Sequence, residues 1–467
     1  MTATEASGQP ALPVGMPISR PRPVVRRAVA SLARLRGDSL LRNSGYNMGA
    51  TVVTALLGYL YWVVAAHTYA AREVGLAAAL IAAMTLAALL ANLGTGSALV
   101  GLLPGRANGR AWSLTLNAAL ALSLLSGLVA GGVTAVALPL LSAQLAVVPA
   151  SPSYCLLFVG GVALWTVSTT LDGAFVAERA AGNLLARNGL FAAVKILLLV
   201  APLPAALGQG PAPSGEAILA SWVLASAVAC ALGFARLERL GRDYRCSLRG
   251  LAHEARALVP ALAGQHLINL GGSAPMYLLP LLVTARLSTT ADAYFYTAWK
   301  VGGLFFMISP AVATSLFAEG AHRPEALVGQ ARRAMLSIGV LLGPAMLVLV
   351  PGGPVIMGLF GRDYARQALP LLALLILSAA PDALTNVYVS VLRVRGRVRL
   401  AAGVNMGMAV VTLALAWLAL PSLGIAGAGW AWLAAQVLGS IFVGLHVAMV
   451  RYRHWPGSVS GEHYAGV

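Results

Sequence analysis

Charge is scarce in this chain. Only 10% of its 467 residues are Asp, Glu, Lys or Arg, where a soluble domain carries about a quarter. Lysine is almost missing, with Lys195 and Lys300 the only two, and acids number 15 against 32 basic residues. The three cysteines, Cys155, Cys230 and Cys246, fall on separate segments without metal-ligand or redox spacing, which excludes a disulfide framework and a cysteine metal centre. They read as small apolar fillers. There is no G-x-x-x-x-G-K-[ST] loop for a nucleotide and no nucleophile elbow. The alternating ten-residue strands of an outer-membrane barrel are absent as well.

Hydrophobic residues make up 59% of the chain and mean hydropathy is +0.80. Apolar runs recur from Gly45 almost to the C-terminus. A bilayer core of about 30 Å takes about 20 helical residues to cross, and a lipid environment requires each segment to satisfy its own backbone. The expected fold is an all-α polytopic membrane protein. Twelve spans are expected, near 45–67, 74–103, 112–138, 154–177, 183–205, 217–235, 257–284, 292–318, 334–358, 367–391, 400–420 and 424–450. The first is too long for a cleaved signal peptide and eleven others follow it. Loops on the outer side run to about 5 to 15 residues, too short to build a large catalytic site. An enzyme is not expected, nor any cofactor or metal.

Arginine tests the count, because one missed helix would invert every later loop. With the N-terminus in the cytoplasm, 26 arginines fall on the cytoplasmic side and only Arg72, Arg286, Arg362 and Arg366 fall outside. Both termini are then cytoplasmic. The net charge of +17 is spread over seven segments rather than one groove, so it fits an anionic inner leaflet better than nucleic acid. The segment 20–38 and the linker "RLERLGRDYRCSLRGLAHEAR" are candidates for basic interfacial helices.

Two short stretches betray a repeat. "AHTYAAREVGLAAALI" at 66–81 and "ARLSTTADAYFYTAWK" at 285–300 align at an offset of 219. "LDGAFVAERAAG" at 171–182 and "LTNVYVSVLRVRG" at 384–396 align near 213. Six spans lie between the copies, so both have the same orientation, as in parallel transporter repeats. The expected plan is two pseudo-symmetric six-helix lobes. It comprises a basic N-terminal segment 1–43, an N-lobe 44–236, a basic linker 237–256, a C-lobe 257–451 and a tail 452–467.

The repeat, the entry into the second helix built from Ala65, Tyr69, Glu73, Gly75, Leu76 and Ala77, and the basic turns after spans four and ten resemble the oligosaccharide-lipid flippases. These form the polysaccharide-transporter branch of the multidrug/oligosaccharidyl-lipid/polysaccharide exporter superfamily. The resemblance covers about residues 38–452. It implies alternating access between lobes and an undecaprenyl-pyrophosphate-linked oligosaccharide moved from the inner to the outer leaflet. It also implies a bacterial plasma membrane, a single-chain unit, and polymerase or glycosyltransferase machinery nearby. A cation-coupled multidrug exporter of the same superfamily is the runner-up, and a non-transporting scaffold of a glycan-synthesis complex the third reading.

Ionisable groups at membrane depth are costly and favour aqueous cavities. Lys195, Lys300 and Arg42 are the candidates to meet a pyrophosphate, with Asp172 and Asp382 holding those cations or exchanging protons. Asn47, Gln265, His266 and Asn269 are candidates for hydrogen bonds to sugar. Gly271, Gly272 and Pro275 mark a break or bend in span seven, a candidate hinge. Glu73 and Asp292 stand at matching helix starts, where a carboxylate suits the helix dipole.

Overall fold

A computed structural model describes residues 39–178, 180–200, 214–247, 249–322 and 324–453, and among these every regular element is helical. The first half contains α1 (Ser39–Thr68), α2 (Ala71–Ala91), α3 (Thr95–Leu102), α4 (Arg110–Leu141), α5 (Pro152–Ala177), α6 (Ala181–Val200) and α7 (Gly215–Leu237). The second contains α8 (Leu251–Arg286), α9 (Thr289–Gly302), α10 (Phe305–His322), α11 (Leu327–Gly358), α12 (Arg362–Val394), α13 (Val398–Leu423) and α14 (Ala426–Arg453). Ten segments among the described residues are long and apolar enough to cross a membrane. Helices also cover Ser39–Thr68 and Leu251–Arg286, where the sequence places the first and seventh spans.

The packing repeats. In the first half α1 packs on α6, α4 on α5, α5 on α7 and α6 on α7; in the second α8 packs on α13, α11 on α12, α12 on α14 and α13 on α14. Each pair has its counterpart six spans later, the relation that the two sequence echoes foreshadow.

Two expected spans are broken where the sequence predicts continuous helix. The second divides into α2 and α3 at Asn92–Gly94, where Leu93 (φ 51°) and Gly94 (φ 86°) adopt left-handed conformations. Glycine takes such a backbone without steric cost, whereas Leu93 is strained there. The arms are held by polar contacts: Asn92 Nδ2 donates to Thr169 Oγ1 at 2.8 Å, and Thr95, Ser123 and Thr170 share hydrogen bonds of 2.7 to 3.1 Å. The eighth span divides between Gly302 and Phe305. By contrast, α8 runs as helix through Gly271, Gly272 and Pro275. Of the break or bend expected there, no break in the helix occurs, as membrane helices tolerate proline and glycine.

The basic linker also departs from expectation. It forms a single 3-10 turn at Glu238–Leu240, no helix over 241–247, and α8 begins at Leu251. Rather than an interfacial helix, it is a strap tied to the first lobe. Arg242 Nε donates to Glu178 Oε2 at 2.8 Å, Arg242 Nη1 to Asn108 Oδ1 at 2.7 Å, and Tyr244 Oη to Asn117 Oδ1 at 2.8 Å. Arg106 pairs with Glu254 in the first turn of α8 at 2.7 Å, and Thr115 Oγ1 donates to the same carboxylate at 2.7 Å.

At the arginine-poor end the lobes meet closely. A Cβ on Gly75 would overlap the carbonyl of Thr289, so α2 and α9 approach at a distance only glycine permits. Thr289 N donates to Gln144 Oε1 at 2.9 Å and Tyr59 Oη to the Ile356 carbonyl at 3.0 Å. Glu73, in the first turn of α2, is not solitary: it accepts the Gly215 N–H at the start of α7 at 2.7 Å.

Candidate functional site

The two lysines come together at the contact between lobes. Lys195, on α6, is 5% exposed. Its ammonium sits 4.9 Å from the ring centroids of Tyr61 and Phe191 and 5.0 Å from that of Trp222. Lys300 lies on α9 in its last turn, where the helix dipole favours a cation and the span breaks. Its ammonium is 4.8 Å from the Tyr296 centroid. The cages join through Trp62, which packs edge-on against Tyr61 at 5.3 Å and Tyr296 at 4.7 Å. Neither lysine makes an ion pair among the described residues. Ring faces stabilise buried ammonium groups without neutralising them. The result is a cationic site lined by aromatic rings, buried at Lys195 and partly exposed at Lys300.

A cavity of about 380 Å³ lies beside it, walled by α2, α3, α5 and Tyr277 of α8. Asn92, Thr169 and Asp172 give it a polar wall. Trp165 and Tyr277 face both regions: Trp165 packs on Phe191 at 5.5 Å and Trp222 at 5.2 Å, and the charge of Lys300 reaches Tyr277. Trp165, on the cavity wall, thus touches two of the rings that hold Lys195.

The carboxylates do other work than the sequence suggests. Asp172 pairs with Arg187, not with a lysine. Arg187, counted with the cytoplasmic-side arginines at the start of the expected fifth span, is 2% exposed and also donates to Ser168 Oγ and, at 2.8 Å, to Asn188 Oδ1. A buried arginine beside a half-open carboxylate holds the cavity wall in one geometry. Asp382, in α12, likewise meets no lysine: it accepts from Ser309 Oγ at 2.5 Å and Asn386 Nδ2 at 3.0 Å. With Pro275, Asn405, Thr412 and Gln436 it lines a polar cavity of about 100 Å³ inside the second lobe. Asp292, the counterpart of Glu73 in the repeat, is fully buried, and its oxygens have no hydrogen-bond partner among the described residues.

Arg42, Asn47, Gln265, His266 and Asn269 lie on α1 and α8, but their side chains fall outside the described residues. Sequence reasoning missed the aromatic residues Tyr61, Trp62, Trp222 and Tyr296, and Arg187. Of these aromatic residues only Tyr296 shares a helix with a lysine, so nothing local in the sequence marks Tyr61, Trp62 and Trp222 as its neighbours.

No family model matches the chain, and no curated protein matches it either. Solved structures do. A multidrug resistance MATE family transporter of the MOP superfamily in an inward-facing conformation aligns with a TM-score of 0.64 at 16% identity, over 86% of this chain and 96% of its own. The lipid II flippase MurJ, inward closed, aligns with a TM-score of 0.66 at 12% identity, over 86% and 87%. A MOP superfamily transporter from Pyrococcus furiosus, described as having a binding pocket of reversed polarity, aligns with a TM-score of 0.60 at 16% identity, over 89% and 95%. At these identities the likeness is one of fold.

Proposed function

We propose, taking this transporter fold as the premise, that the chain is a flippase for an undecaprenyl-pyrophosphate-linked oligosaccharide in a bacterial plasma membrane. It carries the glycan from the inner to the outer leaflet by alternating access, with twelve spans and both termini in the cytoplasm. One observation carries the reading: Lys195 of the first lobe and Lys300 of the second, without an ion pair among the described residues, rest on aromatic rings that meet through Trp62. A pyrophosphate supplies the missing negative charge, and its binding in a dry site is worth more than in water. Aromatic faces suit the flat apolar sides of sugar rings. The lysines then repel each other less, so the substrate itself favours the arrangement that brings the lobes together.

A multidrug exporter takes cationic cargo and calls for a free carboxylate at the same place. Asp172, on the cavity of about 380 Å³, is already paired with Arg187, whereas Asp292, buried on the helix of Lys300 without a hydrogen-bond partner among the described residues, is the carboxylate that keeps the exporter as the second reading. A scaffold has no need of buried charges at a lobe interface, where each costs desolvation. The experiment is the lipid pool of a deletion strain. Undecaprenyl-linked glycan is expected to accumulate in the inner leaflet, and the wild-type gene but not Lys195→Ala is expected to clear it. An unchanged lipid pool with altered resistance to cationic drugs instead assigns the exporter function.

A further inference from the structure

The second lobe carries a groove that the first lobe fills with its own chain. At the arginine-rich end, α11 and α14 stand on either side of α12 and leave a groove of about 430 Å³. Its floor and sides are apolar, with Val387 and Tyr388 from α12, and its rim carries Arg332, Arg395, Arg397 and His446. Tyr388 is 7% exposed, and its buried hydroxyl has no hydrogen-bond partner among the described residues. The charges of Arg395 and Arg397 reach it, and the His446 ring packs against it at 6.0 Å. None of the three arginines makes an ion pair among the described residues.

The repeat states what this place normally holds. Tyr388 corresponds to Phe175 in the first lobe, by the alignment of 171–182 with 384–396. Phe175 is fully buried in a cluster with Trp112 and Leu171, and Tyr244 and Leu251 of the strap pack over that cluster. The Tyr244 ring meets Trp112 edge-on at 6.2 Å, and burial pushes its hydroxyl up to about 12, so it remains a neutral donor. The counterpart in the second lobe has a tyrosine in place of the phenylalanine and arginines at its rim.

We infer that this groove binds an anionic phospholipid of the inner leaflet, with an acyl chain along α12 and the phosphate among Arg332, Arg395 and Arg397. Tyr388 donates its hydroxyl to a phosphate or ester oxygen. The charge decides between occupants. An acyl chain alone gives no use for three arginines, and the chain segment 454–467 contains one acid, Glu462. Arginine forks match phosphate oxygens in pairs, and the tyrosine gains the acceptor it lacks. The lipid acts as the second lobe's strap: it wedges α11 and α14 apart and ties their ends, as the linker does in the first lobe. This inference is independent of the glycan assigned above.

The test is native mass spectrometry of the purified full chain in detergent, titrated with palmitoyl-oleoyl phosphatidylglycerol, the same phosphatidylcholine, or undecaprenyl phosphate. Phosphatidylglycerol is expected to bind at one preferred site. The double variant R395Q/R397Q is expected to weaken it about 25-fold, about fivefold for each arginine, while leaving phosphatidylcholine unchanged. Val328→Trp, which keeps every charge and fills the groove, is expected to remove it, so that either variant decides if the other fails to fold. Arg393→Gln, which stacks on Phe317 at 4.4 Å outside the groove, is expected to bind as wild type. Equal binding of both phospholipids, undiminished binding by R395Q/R397Q, or stronger binding of undecaprenyl phosphate at the same site overturns the inference. So does a site that accepts phosphatidylglycerol only after residues 454–467 are removed, because the tail is then the occupant.

Discussion

Arg187 and Asp172 form an ion pair across two helices of the first lobe, with the arginine 2% and the carboxylate 30% exposed. Such an asymmetric pair depends on both members, since removing either leaves a charge without compensation in a poor solvent. Arg187→Ala is expected to lower stability by about 3 kcal/mol, read as earlier thermal unfolding in detergent. The double change R187A/D172A is expected to recover much of that loss. Additive losses would mean that the two groups do not act together.

Lys300 is expected to matter for transport and not for folding. Lys300→Ala removes a charge that repels Lys195, so the protein is expected to be at least as stable as wild type and to lose glycan export. Lys300→Arg keeps the charge and is expected to retain part of the activity. Abundance by immunoblot and surface glycan by gel separate the two effects.

Glu73 accepts one N–H from Gly215, and glutamine keeps a carbonyl acceptor there. Glu73→Gln is expected to leave export nearly unchanged and to cost about 1 kcal/mol, the difference between a charged and a neutral acceptor. A strong export defect at normal abundance would contradict a purely structural role.

Gly75 is a sensor of the seal between α2 and α9. Gly75→Ala forces a methyl group into the Thr289 carbonyl, so the lobes must part at the arginine-poor end. In a background lacking the native cysteines, a cysteine at Tyr296 is expected to react with an impermeant thiol reagent faster when Gly75 is alanine. Equal rates would mean that the seal yields elsewhere.

Topology is tested the same way. Ala143→Cys lies at the arginine-poor end and Ala107→Cys at the arginine-rich end, both exposed. The first is expected to be labelled from outside intact cells, and the second only after permeabilisation. Reversed labelling would invert the orientation proposed above.

The broad plan was legible because it rests on composition and period. Apolar length marks the helices, arginine marks the loops, and the echo of 171–182 in 384–396 marks the repeat whose packing the two lobes share. What sequence could not resolve depends on partners distant along the chain. Arg187 reads as a loop cation until Ser168 and Asp172 are seen around it. Lys195 reads as a residue in search of a carboxylate, yet it rests on Tyr61, Phe191 and Trp222, which lie on three helices. The proline and glycines of α8 suggest a break or bend, yet helix runs through them, while the second span is interrupted at Leu93 and Gly94, whose glycine alone does not set it apart from the many others in the spans.

The contacts of Glu254 with Arg106 and Thr115 have a mechanical meaning. They fasten the root of α8, the opening helix of the second lobe, to the first lobe. The 36 residues of α8 make a rod about 54 Å long at 1.5 Å per residue. Swung about a pin at one end, such a rod carries its far tip through about 9 Å for a rotation of about 10°. Under the alternating access proposed above, the second lobe would swing like a door hung on the first lobe's frame, with its greatest travel at the Gly75 contact.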